Sequence, residues 1–297
     1  MSSMKKGFYT ALGTPFDADG SVLTDSLADH IENQIAAGAS GLLLMGTMGM
    51  IGCVRHDQYE RTVRAAEEAV NGRVRLMVGA ADNTLHQVQA KLDVLKSYQV
   101  SPVLTAPFYG TIREKLIVPF FTRCAAMTDQ EIFLYDHPFT AKVNLSLSHI
   151  TELAKVKNIR GVKTGNIILA RAILDSPEIS KEFTPILSNS DLFAVGYAYG
   201  IHHYLDGIFA CFPATVKRVQ DAFNRDDHGS ARRHLNEMMD LRDYMIAVGL
   251  RPAFTYALNL LGFRGNFGPD YEETLSEDLK KSVKEKFQAL GELQEGM

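Results

Sequence analysis

Ile159-Arg160-Gly161-Val162-Lys163-Thr164-Gly165-Asn166 is the stretch whose reading decides the fold. A short apolar run carries one lysine at its end, and Gly165-Asn166 breaks the chain before a helix-like segment at 167–174. The pattern predicts a strand that delivers Lys163 to its C-terminal tip, where alternating β/α folds put their chemistry. Lysine is seldom fully buried without a reason. Taking it out of water disfavours the ammonium and leaves an amine able to attack a carbonyl. A strand-end lysine can also snorkel to solvent, and the stretch alone favours that plainer reading. The rest of the chain turns the balance.

Outward from this stretch, short apolar runs alternate with longer amphipathic segments. Strands are expected at 8–13, 42–45, 76–78, 103–105, 132–135, 159–163, 186–188 and 205–209. Most lie roughly 25 to 35 residues apart, the pitch of a β/α unit. Helices are expected between them at 26–37, 57–70, 84–97, 112–127 and 146–156. Eight such strands close a parallel barrel with a filled interior, so the expected fold is α/β, a (β/α)8 TIM barrel. No Gly-rich dinucleotide fingerprint follows the first strand, which counts against an open nucleotide-binding sheet. Three further helices, at 229–248, 252–261 and 275–290, follow with no Pro-, Gly- or Ser-rich linker before them. The expected division is therefore a barrel over 1–225 and a C-terminal helical extension over 226–297, packed on it. Asp17-Ala18-Asp19-Gly20 faintly resembles a calcium loop, but the glycine comes too early and no closing glutamate follows. A surface turn is expected there.

Composition narrows the function classes. The chain has 297 residues, 46% of them hydrophobic, enough for a large core. A net charge of −4 and the lack of a basic run argue against nucleic acid as a partner. No apolar run is long enough to span a membrane. Cys53, Cys124 and Cys211 are odd in number, far apart and without metal-ligand spacing. They fit a reducing compartment, and a cytoplasmic protein is expected. His202-His203 has no clustered carboxylates, so no metal is expected there.

In a barrel, residues at strand C-termini share one pocket however far apart they lie in sequence. The second strand ends in Gly46-Thr47-Met48-Gly49-Met50, whose glycines let backbone N–H groups approach an anion and whose Thr47 adds a hydroxyl. An ordinary tight turn would look the same. The fourth strand ends in Pro107-Phe108-Tyr109, the fifth in Tyr135-Asp136-His137-Pro138 and the sixth in Lys163. A strand tyrosine is usually packing. Two tyrosines, a threonine and a lysine at such tips are harder to dismiss, because a phenol can move a proton for a Schiff-base lysine.

Thr14-Pro15-Phe16, Gly46-Thr47-x-Gly49, Pro107-Phe108-Tyr109, Tyr135 with Pro138, Gly161-Val162-Lys163 and Ala257-Leu258-x-Leu260-Leu261-Gly262 occur in this order along nearly the whole chain. Together they resemble the dihydrodipicolinate synthase / N-acetylneuraminate lyase family. The resemblance implies a class I aldolase barrel, a homo-oligomer (dimer or tetramer), acting on pyruvate or another 2-oxo acid. No cofactor is implied beyond the covalent lysine imine. It implies that Lys163 forms the Schiff base, that Tyr135 is the general acid/base, and that Thr47 and Tyr109 extend a proton relay. In this family the second tyrosine usually reaches a neighbouring subunit's site. The Ile208 carbonyl would face the lysine amine.

Departures from the family pattern bear on the substrate. The family's turn normally reads Gly-Thr/Ser-Thr-Gly-Glu, so a hydroxyl is replaced at Met48 and an acid at Met50. Carboxylate capture would fall to Thr47 and the N–H groups of the Gly46–Met50 turn. The synthases carry an arginine for a second carboxylate five residues after the tyrosine; this chain has Thr140, which cannot make a bidentate ion pair. Dihydrodipicolinate synthesis is not expected. Sialic acid lyases commonly have threonine two residues past the lysine, where Gly165 stands, and their acidic pair after strand seven survives only in part, as Ser190-Asp191. Asp136 and His137 put ionisable groups near the pocket, for substrate contact or for bracing the strand end. The sequences after strands seven and eight lack the glycines of a barrel phosphate site. The expected function is a lyase that releases pyruvate from a 2-oxo acid such as a 2-keto-3-deoxy sugar acid. The alternatives are a dehydratase on the same imine and a non-catalytic binder of a 2-oxo acid.

Overall fold

In the computed structural model the apolar runs form eight strands: β1 Gly7–Ala11, β2 Gly41–Leu44, β3 Arg75–Gly79, β4 Ser101–Leu104, β5 Ile132–Asp136, β6 Ile159–Thr164, β7 Thr184–Leu187 and β8 His203–Asp206. They pair in chain order, and the sheet closes on itself as a (β/α)8 barrel. The structure describes residues 4–293, so the first three residues of the expected barrel segment and the last four of the expected extension lie outside it.

Strands with both faces covered read as continuous apolar runs rather than as an alternation. That is why Gly41-Leu42-Leu43-Leu44 is buried at every position, as is Ile132–Asp136. Register then fixes which side chains meet. Leu134 pairs with Val162, Tyr135 with Lys163 and Asp136 with Thr164, past an irregularity at Ile132/Phe133. Gly161 makes this register possible. A Cβ on it would run into the Thr184 carbonyl and come within 2.9 Å of the Phe133 ring, so only glycine lets β6 lie between its neighbours.

Several boundaries differ from those expected. β4 begins at Ser101 and includes Pro102, a residue that in sequence argues against a strand. The expected helix at 112–127 is a 3₁₀ turn, Glu114–Leu116, followed by a helix only at Ile117–Ala125. Pro119 sits in that helix's first turn, the place an α-helix accepts proline without losing a hydrogen bond. The eighth strand runs over His203–Asp206 rather than 205–209. Asp206 accepts a hydrogen bond from the Ile208 N–H at 3.1 Å and turns the chain into the 3₁₀ segment Ile208–Cys211. His203 therefore opens the strand instead of preceding it. Helices Phe193–Ala198 and Pro213–Asn224 had no counterpart in the sequence reading. The expected surface turn is present, with the Asp17 carboxylate accepting from the N–H groups of Asp19 and Ser21 at 2.9 and 2.8 Å.

The chain packs as two compact units, one of Arg75–Leu205 with the segment ending at Gly7, the other of Phe8–Val74 with Asp206 onward. Within the first, Gln130 and Asn158 tie loops together by donating to the carbonyls of Leu95, Tyr98, Ala125 and Thr128. Within the second, Phe16 and Asn266 exchange backbone hydrogen bonds of 2.7 and 2.9 Å, and the Ser26 hydroxyl donates to the Arg264 carbonyl at 2.8 Å. His30 lies fully buried in this unit against the Phe263 ring at 4.8 Å, with neither ring nitrogen hydrogen-bonded. No helix among the described residues is long and apolar enough to cross a membrane.

Candidate active site

Lys163 is the penultimate residue of β6, level with Tyr135 on β5. Both are buried, at 6% and 7% exposure. The Lys163 Nζ stands 3.9 Å from the centroid of the Tyr135 ring, on its π face. No carboxylate among the described residues pairs with it. A buried amine held against a phenol without a counter-ion is a strong arrangement for nucleophilic attack on a carbonyl with a proton carrier beside it.

One residue further along the two strands, the Thr164 hydroxyl donates to Asp136 at 2.8 Å, and the Leu145 N–H donates to the other carboxylate oxygen at 3.0 Å. Burial pushes the Asp136 carboxyl above its ordinary range, and these two hydrogen bonds pull it back. The pair clamps β5 to β6 directly beyond Tyr135 and Lys163. Asn166 then starts the next helix, its side chain accepting from the N–H groups of Ile168 and Leu169 at 3.0 and 3.1 Å.

His137 leaves the end of β5 and sets its ring edge-on to Tyr135, centroids 4.9 Å apart, with Phe139 on its other side at 6.3 Å. Its Nδ1 is buried and has no hydrogen-bond partner. Burial first, and then the Lys163 charge, hold the imidazole below its ordinary pKa, so it is neutral at pH 7. Thr105 follows β4. Val103 pairs with Phe133 and Leu104 with Leu134, so the next step of that register sets Thr105 level with Tyr135. Its Oγ1 is also buried and unpartnered.

In the other unit, the turn after β2 is built round Gly49. A Cβ there would come within 2.9 Å of the Leu12 carbonyl and the Met45 nitrogen, and the Thr14 hydroxyl donates to the Gly49 carbonyl at 2.6 Å. The Met50 N–H donates to the Thr47 carbonyl and the Ile51 N–H to Gly46, both at 3.3 Å. The N–H groups of Met48 and Gly49 have no partner among the described residues. Met48 turns its side chain onto the Gly207 backbone, where a Cβ on Gly207 would meet the Met48 Cβ at 2.8 Å. Met50 accepts from the Arg251 guanidinium at 2.7 Å. Ile208 begins the buried 3₁₀ segment beyond Gly207.

Of the residues singled out from the sequence, Lys163, Tyr135 and His137 form one cluster. Gly46, Thr47 and Met48 share one turn. Thr140 lies half-buried in the short helix Pro138–Ala141. Asp191 sits exposed in the 3₁₀ turn Ser190–Leu192 after β7. Tyr109 is 93% exposed, its backbone N–H and that of Phe108 donating to the Asn83 side chain at 2.7 and 3.0 Å. Thr105 was not singled out, since a threonine at a strand end carries no mark in sequence of what its hydroxyl will meet. Among the described residues no group of three or more His, Cys, Asp or Glu could hold a metal ion.

The profile of the dihydrodipicolinate synthetase family matches residues 4–289. The chain belongs to that family. Members of the family are class I aldolase-type lyases, and the (β/α)8 barrel with a lysine on β6 agrees with this. The 4-hydroxy-tetrahydrodipicolinate synthase of Parvibaculum lavamentivorans is 30% identical over 265 residues, covering 89% of this chain and 90% of that protein. That of Gluconobacter oxydans is 32% identical over 186 residues, 62% of this chain and 63% of its own. The crystal structure of the dihydrodipicolinate synthase from Thermotoga maritima superposes with a TM-score of 0.88 at 20% identity, covering 98% of this chain and all (100%) of that one. YagE, a prophage protein of the same family from E. coli K12 solved in complex with pyruvate, gives 0.87 at 18%, covering 97% and 99%.

Proposed function

We propose that this family member is a Schiff-base-forming lyase that cleaves a 2-oxo acid, such as a 2-keto-3-deoxy sugar acid, and releases pyruvate, or runs the reverse condensation. The observation that carries the reading is the buried Lys163 amine, 3.9 Å over the Tyr135 ring. In this reading the amine adds to the C2 ketone and water leaves, giving a protonated imine that withdraws electrons from C3. Tyr135 takes the proton of the C4 hydroxyl as the C3–C4 bond breaks, and the aldehyde departs. The enamine is reprotonated at C3, and hydrolysis of the imine returns pyruvate and the free amine.

On family likeness, Thr47 and the unpartnered N–H groups of Met48 and Gly49 take the C1 carboxylate, and the Ile208 carbonyl faces the amine. Thr47 and Tyr109 extend the proton relay, with the exposed Tyr109 serving a neighbouring copy in a dimer or tetramer. Such an enzyme needs no cofactor beyond its own imine. Its three unpaired cysteines fit the cytoplasm. Several curated relatives carry the name 4-hydroxy-tetrahydrodipicolinate synthase. Thr140 nevertheless speaks against that reaction here, because a hydroxyl cannot hold a second carboxylate as a guanidinium does. The next reading is a dehydratase on the same imine, in which a hydroxyl leaves as water in place of C3–C4 cleavage.

Borohydride added with pyruvate is expected to leave covalent mass on Lys163 and none in Lys163→Ala. Mass that persists in the variant, or no labelling of the wild type by any 2-oxo acid, would sink the imine mechanism. Pyruvate release from a panel of 2-keto-3-deoxy sugar acids then separates the lyase from the dehydratase, which releases none.

A further inference from the structure

Buried polar atoms in folded proteins almost always have a hydrogen-bond partner, so those without one call for an explanation. Among the described residues such atoms occur on His30, Gln58, Thr105 and His137. His30 is fully buried against the rings of Phe263 and Phe267. Thr105 and His137 are different. They follow β4 and β5: His137 sets its ring against Tyr135, which carries the Lys163 amine on its face, and one further step of the β4–β5 register brings Thr105 level with that tyrosine. Aromatic contacts hold the His137 ring on two sides, and its Nδ1 is left without a partner.

Both groups are matched to the same kind of ligand atom. A threonine hydroxyl donates one hydrogen bond and accepts others, and a neutral imidazole donates from one nitrogen and accepts at the other. A substrate hydroxyl, itself donor and acceptor, satisfies both. A carboxylate only accepts, and it would have to leave water for neutral partners with no cation such as arginine to compensate. Thr140, two residues into the following helix, adds no charge.

We infer that Thr105 and His137 are specificity residues that hydrogen-bond the hydroxylated, uncharged tail of the 2-oxo acid, and that they select against a substrate with a second carboxylate. This rests on the imine reading of Lys163.

The test compares kcat/KM for a 2-keto-3-deoxy hexonate with that for the 2-oxo acid of equal length whose terminal CH2OH carbon is instead a carboxylate. The wild type is expected to favour the first. Thr105→Val, nearly isosteric, and His137→Leu are each expected to lose about tenfold or more on the hydroxylated acid, mostly in KM, with little change on the dicarboxylate. Thr105→Ser and His137→Gln, which keep a donor and an acceptor, are expected to recover part of the loss, and they guard against a folding defect in the first pair. Variants within twofold of wild type, a wild type that prefers the dicarboxylate, or one inert towards the hydroxylated acid would each overturn the inference. Trapping of pyruvate on wild-type Lys163 reads the imine separately. Failure there strikes the proposed function, whereas trapping without these losses strikes this inference alone.

Discussion

Tyr135→Phe keeps the ring beneath the Lys163 amine and removes only its hydroxyl. Turnover is expected to fall by about two to four orders of magnitude, while borohydride still traps part of the imine. Turnover near wild type would reduce Tyr135 to packing. Met48→Thr tests the turn after β2. Restoring a hydroxyl there supplies one hydrogen bond to a charged group, roughly 1.5–3 kcal/mol, or about one to two powers of ten in pyruvate affinity. Unchanged or weaker binding by calorimetry would mean that the turn, with Met48 laid on Gly207, serves another ligand. Lys163 and Tyr135 were legible in the sequence because an apolar run fixes a strand, and a strand fixes what stands at its tip. Where Met48 points was not legible, since a thioether can pack in any direction the neighbours leave open. Nor was Thr105, whose meaning lies in a hydroxyl left without a partner.

Among the elements, β6 carries the most consequence for its length. Gly161→Ala would drive a methyl towards the Thr184 carbonyl and the Phe133 ring. A cost of about 1–3 kcal/mol is expected, typical of overpacking a close-packed interior, and is measurable by denaturant unfolding. Activity is expected to fall further than stability, because a shift of β6 against β5 lifts Lys163 off Tyr135. A variant with unaltered stability and turnover would show that the strand has room to spare. All eight strands could be read as elements from their apolar runs, but their ends could not. β8 sits earlier than expected because Asp206 turns the chain by a side-chain hydrogen bond that hydropathy does not register. Helix Phe193–Ala198 is too short to show a period. Helix Pro213–Asn224 did carry its signal, with proline at its start and Val216, Val219 and Phe223 on one buried face.

For the whole molecule, acid stability turns in part on His30. Burial lowers its pKa from 6.5 to about 3, so the folded chain holds the ring neutral while the unfolded chain takes up a proton below pH 6.5. Its contribution is therefore fully present above pH 6.5 and is lost as pH falls towards 3, at about 1.4 kcal/mol per pH unit. His30→Leu removes that proton uptake, and its unfolding free energy is expected to fall less steeply than wild type over this window. Parallel pH profiles would assign the acid limb to other groups. The division into units also sets an order of events during synthesis. Arg75–Leu205 is an unbroken run whose own contacts are all synthesised once Leu205 is made, whereas Phe8–Val74 packs with residues from Asp206 onward. Phe16 and Ser26 emerge early, yet the backbone of Asn266 and Arg264 that they bind is made almost last. The nascent chain thus carries its own beginning as unfinished apolar surface, including Leu42–Leu44, for most of the time it takes to translate. A ribosome-stalled chain ending before Arg264 is accordingly the form in which chaperones have the most to hold.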